Sequence, residues 1–297
     1  MNNVVALNAS AAIAPAGMNV LSPIMFKAYE RPLFYTGSNQ DHQYHNTGHK
    51  ALCRVLDDKP VCLNVVRDTY KVVQNMELFD AVERGLRSGV SETELRTARI
   101  RDKVSYNGAQ CFREYIFPDI AVPSPERDTI AFRVIVQNGF GTGAIKLYSG
   151  AIDFFCTNGL VLGEYTSLYA KHTKGVSIND FERVVRGSVE LFWKNKQFYA
   201  DLAGKKVLGD DEVKAFLDHN FGERLGARLM YQFRLEINSR GRTLWALYSA
   251  LTHYSSHADG EFALRNTSND HAAATMMKRE KDVLKVTDDN AFLKLAA

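Results

Sequence analysis

The chain has 297 residues, of which 45% are hydrophobic and 24% charged, with a formal net charge of +3. That composition can bury a full core, and it excludes wholesale disorder. The mild positive balance excludes an acidic nucleic-acid mimic, and it points to a nucleic-acid surface only if cations gather on one face.

Residues 1–40 hold small residues, Pro15, Pro23 and Pro32, and few charges. They read as an N-terminal arm, partly disordered or docked on a neighbour through Val20, Leu21, Ile24, Met25 and Phe26. The segment lacks a basic start, so no secretory signal is expected, and no apolar stretch is long enough to predict a membrane span. The four cysteines, Cys53, Cys62, Cys111 and Cys156, lie far apart and form no C-x-x-C pair. Zinc-ribbon and thioredoxin-like readings therefore fall away. They read as buried free thiols, suited to a reducing cytoplasm.

His42, His45 and His49 have a spacing that could chelate, but no carboxylate or cysteine cluster completes a site, so no metal is expected there. Ala51–Asn64 reads as two short strands joined by a turn at Asp57-Asp58-Lys59-Pro60. Asn75 is positioned to cap a helix beginning at Met76, with Leu78, Phe79, Val82 and Leu86 on one face. Ser91 and Glu94 have the spacing of a capping box. After them Arg99, Arg101 and Lys103 fall on one face of a strand, with Ile100 and Val104 on the other, so the strand would carry three cations in a row. Such a row either tracks a phosphate backbone or protects a solvated edge strand.

Arg127–Gly163 is the best-patterned stretch. Ile130, Phe132, Val134 and Val136 alternate with Thr129, Ala131 and Arg133, then Asn138–Gly143 supplies a glycine-rich tip. Ile145 and Leu147 alternate with Lys146 and Tyr148 on the return arm. This predicts a long β-hairpin whose exposed face carries Arg133, Lys146 and Tyr148. Cys156, Asn158 and Gly159 read as a structural turn behind it.

Asp180–Leu202 predicts one amphipathic helix with Lys194 and Lys196 among its cations. Further helices are expected at Asp210–His219, Thr243–His257 and Ala272–Leu284. His253 and His257 stand at i, i+4 without the glutamate of an H-E-x-x-H motif. Together these elements predict an α+β fold: an antiparallel sheet with a long β-hairpin, packed against several helices on one side. The expected organisation is an arm over 1–40, a single domain over 41–290 and a tail over 291–297.

Three segments carry a family resemblance: VVRDTYKVVQNMELFD (65–80), IDFFCTNGLVLG (152–163) and TLWALYSALTHYSSH (243–257). Their order and spacing resemble the phage and plasmid-like proteins classed as domain of unknown function 932. Two departures stand out. The family's S-H-D-G-S tip is replaced by Asn138–Gly143, which has neither His nor Asp, and Arg242 stands where Asn is usual. The element order is also similar to that of ring-forming single-strand annealing recombinases.

The resemblance implies a protein of phage or plasmid recombination that binds and anneals single-stranded DNA, forms a homo-oligomer (ring or filament) and works in the bacterial cytoplasm. Such an activity needs no cofactor, metal or nucleophile, only a cationic groove that holds bases outward. The residues expected to line it are Arg99, Arg101, Lys103, Arg133, Lys146 and Tyr148, with Lys194 and Lys196. Two alternatives stay open: a metal-dependent nuclease or other hydrolase using Asp153, Asp68 or Asp80, and an assembly protein that binds no DNA.

Overall fold

A computed structural model describes residues 4–6, 22–36, 44–123, 129–153, 158–160, 167–257 and 272–296. In chain order its strands are β1 (Val4–Ala6), β2 (Tyr29–Thr36), β3 (Tyr44–Leu56), β4 (Lys59–Arg67), β5 (Arg99–Ser105), β6 (Gln110–Pro123), β7 (Thr129–Gly139), β8 (Ile145–Asp153), β9 (Asn158–Leu160) and β10 (Ser167–Ala170). The α-helices are α1 (Asn75–Gly89), α2 (Glu92–Thr97), α3 (Asn179–Lys194), α4 (Lys196–Gly204), α5 (Asp210–Phe221), α6 (Glu223–Arg240), α7 (Leu244–Ser256), α8 (Ala272–Thr287) and α9 (Asn290–Leu293). The fold is α+β with antiparallel sheets and the expected long hairpin, β7–β8. Among the described residues no helix is long and apolar enough to cross a membrane.

One sheet has the order β2-β3-β4. Asp57 and Asp58 join β3 to β4 with φ of 49° and 59°. Two successive left-handed residues match the twist of the strands they connect, and Asp tolerates that conformation. The second sheet runs β1-β5-β6-β7-β8-β10, with β9 also paired to β8. The chain forms two compact units, one of Met1–Tyr115, Ile135–Tyr148 and Ser167–Arg186, the other of Ile116–Val134, Ser149–Thr166 and Gly187–Ala297.

In the first unit α1 buries Leu78, Phe79, Val82 and Leu86, as their spacing predicts. Its cap differs from expectation. Gln74 is the N-cap residue and makes no side-chain cap. Asn75 instead donates its amide to the Ile24 carbonyl at 2.7 Å, a tertiary bond that outcompetes local capping. Helix α3 crosses α1 at two glycines: a Cβ on Gly85 would lie 2.5 Å from the Glu182 carbonyl oxygen, and one on Gly89 3.0 Å from that of Arg186. The Ser91–Glu94 capping box opens α2 as read. Between β5 and β6, Arg113 grips Asp102 through two bonds of 2.8 Å and reaches Glu83 of α1 at 3.2 Å. This buried fork turns Asp102 inward, so Arg99, Arg101 and Lys103 fall on the opposite face of β5.

In the second unit Phe132 of β7 meets Phe117 at 5.6 Å and Phe192 of α3 at 5.5 Å. Its neighbour Arg133 points to the other face and donates to Glu280 of α8 at 3.0 Å. Every residue from Ala131 to Phe140 is buried. The alternation in β7 predicted one open face, but both are covered.

The single helix expected over 180–202 is two. Asn195, at φ −78° and ψ −4°, shares its N–H between the carbonyls of Leu191 and Phe192, and its own carbonyl accepts from Phe198 to start α4. Helix α6, bounded by positive-φ Gly222 and Gly241, has no counterpart in the sequence reading. Thr243 caps α7 by accepting from the Ala246 N–H at 3.2 Å. Arg242, the family departure, donates to Asp210 at 2.6 Å, a carboxylate also held by Arg234. These hydrogen bonds keep the Asp210 carboxyl below its ordinary range.

Candidate nucleic-acid interface

The D-x-Y-x-V-V-Q-N segment is spent on structure. Tyr70 donates its hydroxyl to the Gly139 carbonyl at 2.8 Å and accepts from the Gly141 N–H at 3.0 Å. Burial pushes this phenol up to about 12, so it stays a donor at neutral pH. Asn138 donates to the Val73 carbonyl at 2.9 Å and to Asn75 Oδ1 at 2.8 Å. Gln74 holds both backbone groups of Ala28, at 3.0 and 2.9 Å. The Tyr70 ring stacks on His172 with centroids 4.7 Å apart. The glycine tip is therefore gripped, and Phe140 at its centre is fully buried against Phe26. Gly141, at φ +75°, has no room for a Cβ beside Val66 and Asn64.

The residues expected to bind DNA divide into separate groups. Arg99 is exposed at the start of β5, Arg101 is half-buried and reaches Glu114 at 3.6 Å, and Lys103 is half-buried. Lys146 and Tyr148 are half-buried on β8, where the register sets them against Tyr169 and Ser167 of β10. Strands β6 and β7 separate the two groups, so β5 and β8 lie about 14 Å apart. Arg133 was read on the exposed face of the hairpin. It is 4% exposed and committed to Glu280, because helix α8 covers that face of β7. Lys194 is exposed and pairs with Glu190 one turn earlier at 3.2 Å. The side chain of Lys196 lies outside the described residues, as does Cys156. Asn158 and Gly159, read as a turn, belong to strand β9 and pair with Asp153 and Ile152 of β8.

A different surface assembles cations and rings. In the β2-β3-β4 sheet, Arg31 pairs with Ala51 and Ala51 with Val65, while His49 pairs with Arg67. Cross-strand partners share a face, so Arg31, His49 and Arg67 project from one side, with Ala51 and Val65 between them. All three are exposed, and among the described residues neither arginine is ion-paired. The Arg31 guanidinium stands 5.5 Å from the Tyr29 ring centroid. The same sheet extends into the β2–β3 hairpin, where Phe34 (52%), Tyr35 (56%) and Tyr44 (75%) are exposed. Tyr35 and His45 pair in register with rings 5.3 Å apart. The sequence signal was present in Tyr29, Phe34, Tyr35 and Tyr44, four aromatics with Arg31 among them.

Among the described residues no three His, Cys, Asp or Glu side chains converge on a metal-sized space. His42 lies outside the described residues, and His253 and His257 stack on one another at 4.2 Å. Asp68 is exposed, Asp80 is half-buried with its carboxyl pushed up by burial, and the Asp153 side chain is outside the described residues.

The fold and this surface define an α+β protein with a cationic, aromatic sheet face. The chain belongs to the family described as domain of unknown function (DUF932), whose model matches residues 62–283. No curated protein and no solved structure matches it.

Proposed function

We propose that this protein binds single-stranded DNA on the outer face of the β2-β3-β4 sheet. On this reading it anneals complementary strands as a homo-oligomer, in phage or plasmid recombination within a bacterial cytoplasm. One observation carries the reading: Arg31, His49 and Arg67 share a sheet face that runs into a hairpin bearing Phe34, Tyr35 and Tyr44 in the open. Guanidinium groups neutralise phosphates, and exposed rings stack on unpaired bases, which a duplex does not offer. Arg99 on β5 and Lys146 and Tyr148 on β8 lie apart from this face and from each other. Arg133 has no part in this surface.

The test is fluorescence anisotropy of a labelled oligonucleotide titrated with the full-length protein over a salt series. Binding to single strands is expected to weaken steeply with salt and to exceed binding to the matching duplex. Absence of binding at low salt overturns the proposal. Light scattering with and without oligonucleotide separates DNA-dependent assembly from assembly that ignores DNA.

A further inference from the structure

We propose that Cys53 and Cys62 form a site of reversible oxidation that closes a cross-strand disulfide between β3 and β4 when the protein meets a low-molecular-weight disulfide such as oxidised glutathione. The inference is independent of the DNA-binding reading. The two residues are nine apart in sequence, and the Asp57-Asp58 turn folds them into direct register as partners. Directly opposed antiparallel residues have Cα atoms about 4.5–5.5 Å apart, within the roughly 4.4–6.8 Å that disulfides span. Both are free thiols, and the Cys62 thiol donates to the Asn64 carbonyl at 3.6 Å. The pair follows a bulge at which Leu63 is left over between Leu52↔Asn64 and Cys53↔Cys62. The extra residue is what brings Cys62, rather than Leu63, opposite Cys53.

The two thiols differ in a way that orders the reaction. Cys62 is exposed and can meet a small disulfide, whereas Cys53 is only 7% exposed. Burial pushes the Cys53 thiol up, the neighbouring Cys62 adds to this, and the Arg31 guanidinium opposes it. The Cys62 thiolate therefore attacks first. It forms a sulfur–sulfur bond to one half of the glutathione disulfide and expels the other half as thiolate. Cys53 then attacks the Cys62 sulfur, and the second glutathione leaves, taking up the Cys53 proton. Two protein thiols lose two electrons and two protons, and one glutathione disulfide becomes two thiols. Cys111 is an internal control, fully buried, bonded to the Gly108 carbonyl at 3.3 Å and pushed up to about 12.

The experiment equilibrates reduced full-length protein in glutathione buffers of stepped oxidation, quenches with acid, alkylates the remaining thiols and maps tryptic peptides by mass. Trypsin cuts after Lys50, Arg54 and Arg67, while Lys59 is shielded by Pro60. The expected product joins peptide 51–54 to peptide 55–67 and disappears on return to reducing buffer. Cys53→Ser is expected to stop at a stable glutathione adduct on Cys62, and Cys62→Ser to leave Cys53 alkylated. The proposal is overturned if wild-type protein holds the Cys62 adduct without the linked peptides. It also falls if both cysteines stay alkylated in the most oxidising buffer, or if Cys62 is linked to Cys111 or Cys156.

Discussion

Arg133 of β7 and Glu280 of α8 meet at 3.0 Å with only 4% and 8% of their side chains exposed, although 147 residues separate them in sequence. A buried pair of this kind adds little over an apolar pair of equal volume, but removing one member strands a charge. Arg133→Ala is expected to cost about 3–5 kcal/mol of stability, read as a lowered midpoint of chemical denaturation. Replacing both residues with apolar ones should recover most of that loss. Oligonucleotide affinity, measured where the variant stays folded, should not change. A selective loss of DNA binding without loss of stability would return Arg133 to the surface role its sequence position suggested.

The α1–α3 crossing gives a paired glycine test. Gly85→Ala forces a methyl against the Glu182 carbonyl, where only 2.5 Å is available, and backbone cannot step aside cheaply. A loss of about 1–3 kcal/mol is expected. Gly187→Ala, exposed in α3 with nothing within 4 Å of the new methyl, should instead stabilise by about 0.5–1 kcal/mol. Thermal denaturation of the two variants checks both signs, and equal behaviour would remove the close approach as an explanation.

His172 predicts a pH dependence. Its Nδ1 lies 3.1 Å from the Lys71 carbonyl, and its Nε2 is buried without a partner. Burial lowers its pKa below the ordinary 6.5. The unfolded chain therefore takes up this proton at higher pH than the native protein does. Between the two pKa values the unfolded state holds more protons, so the contribution is complete above about 6.5 and is lost as pH falls below it. Denaturation midpoints of wild type minus those of His172→Gln should fall on acidification through this window. A flat difference would show that the buried imidazole is not the source.

The sheet face makes the functional prediction. Arg31→Ala and Arg67→Ala should each weaken single-strand binding and lower the salt slope by about one. Tyr35→Ala should cost about 1–3 kcal/mol in affinity if its ring carries a base, with the salt slope unchanged. Lys194→Ala, whose partner is Glu190 on the same exposed helix face, is the neutral control. Anisotropy titrations over a salt series read all four. Equal, small effects at every position would mean the DNA lies elsewhere.

Features that depend on neighbours along the chain were legible in the sequence. The Asp57-Asp58 turn, the Ser91–Glu94 box and the alternation of β7 and β8 each rest on a few adjacent dihedrals and on bonds of short reach. Tertiary structure decided what met those elements. Period two in β7 distinguished its two faces, but only α8 could close the second one over Arg133. Asn75 had the chemistry of a cap until Ile24 and Asn138 arrived to claim its amide. Helix α6 escaped notice because its buried stripe includes Gln232, Glu236 and Arg240, polar residues that pair at successive turns and interrupt the apolar period. The cation row of β5 was visible as spacing, yet strand order separated it from Lys146 and Tyr148. The surface that does bring cations and rings together depends on β2 pairing with β3. Cross-strand register is set by partners distant in sequence, which no local pattern reports.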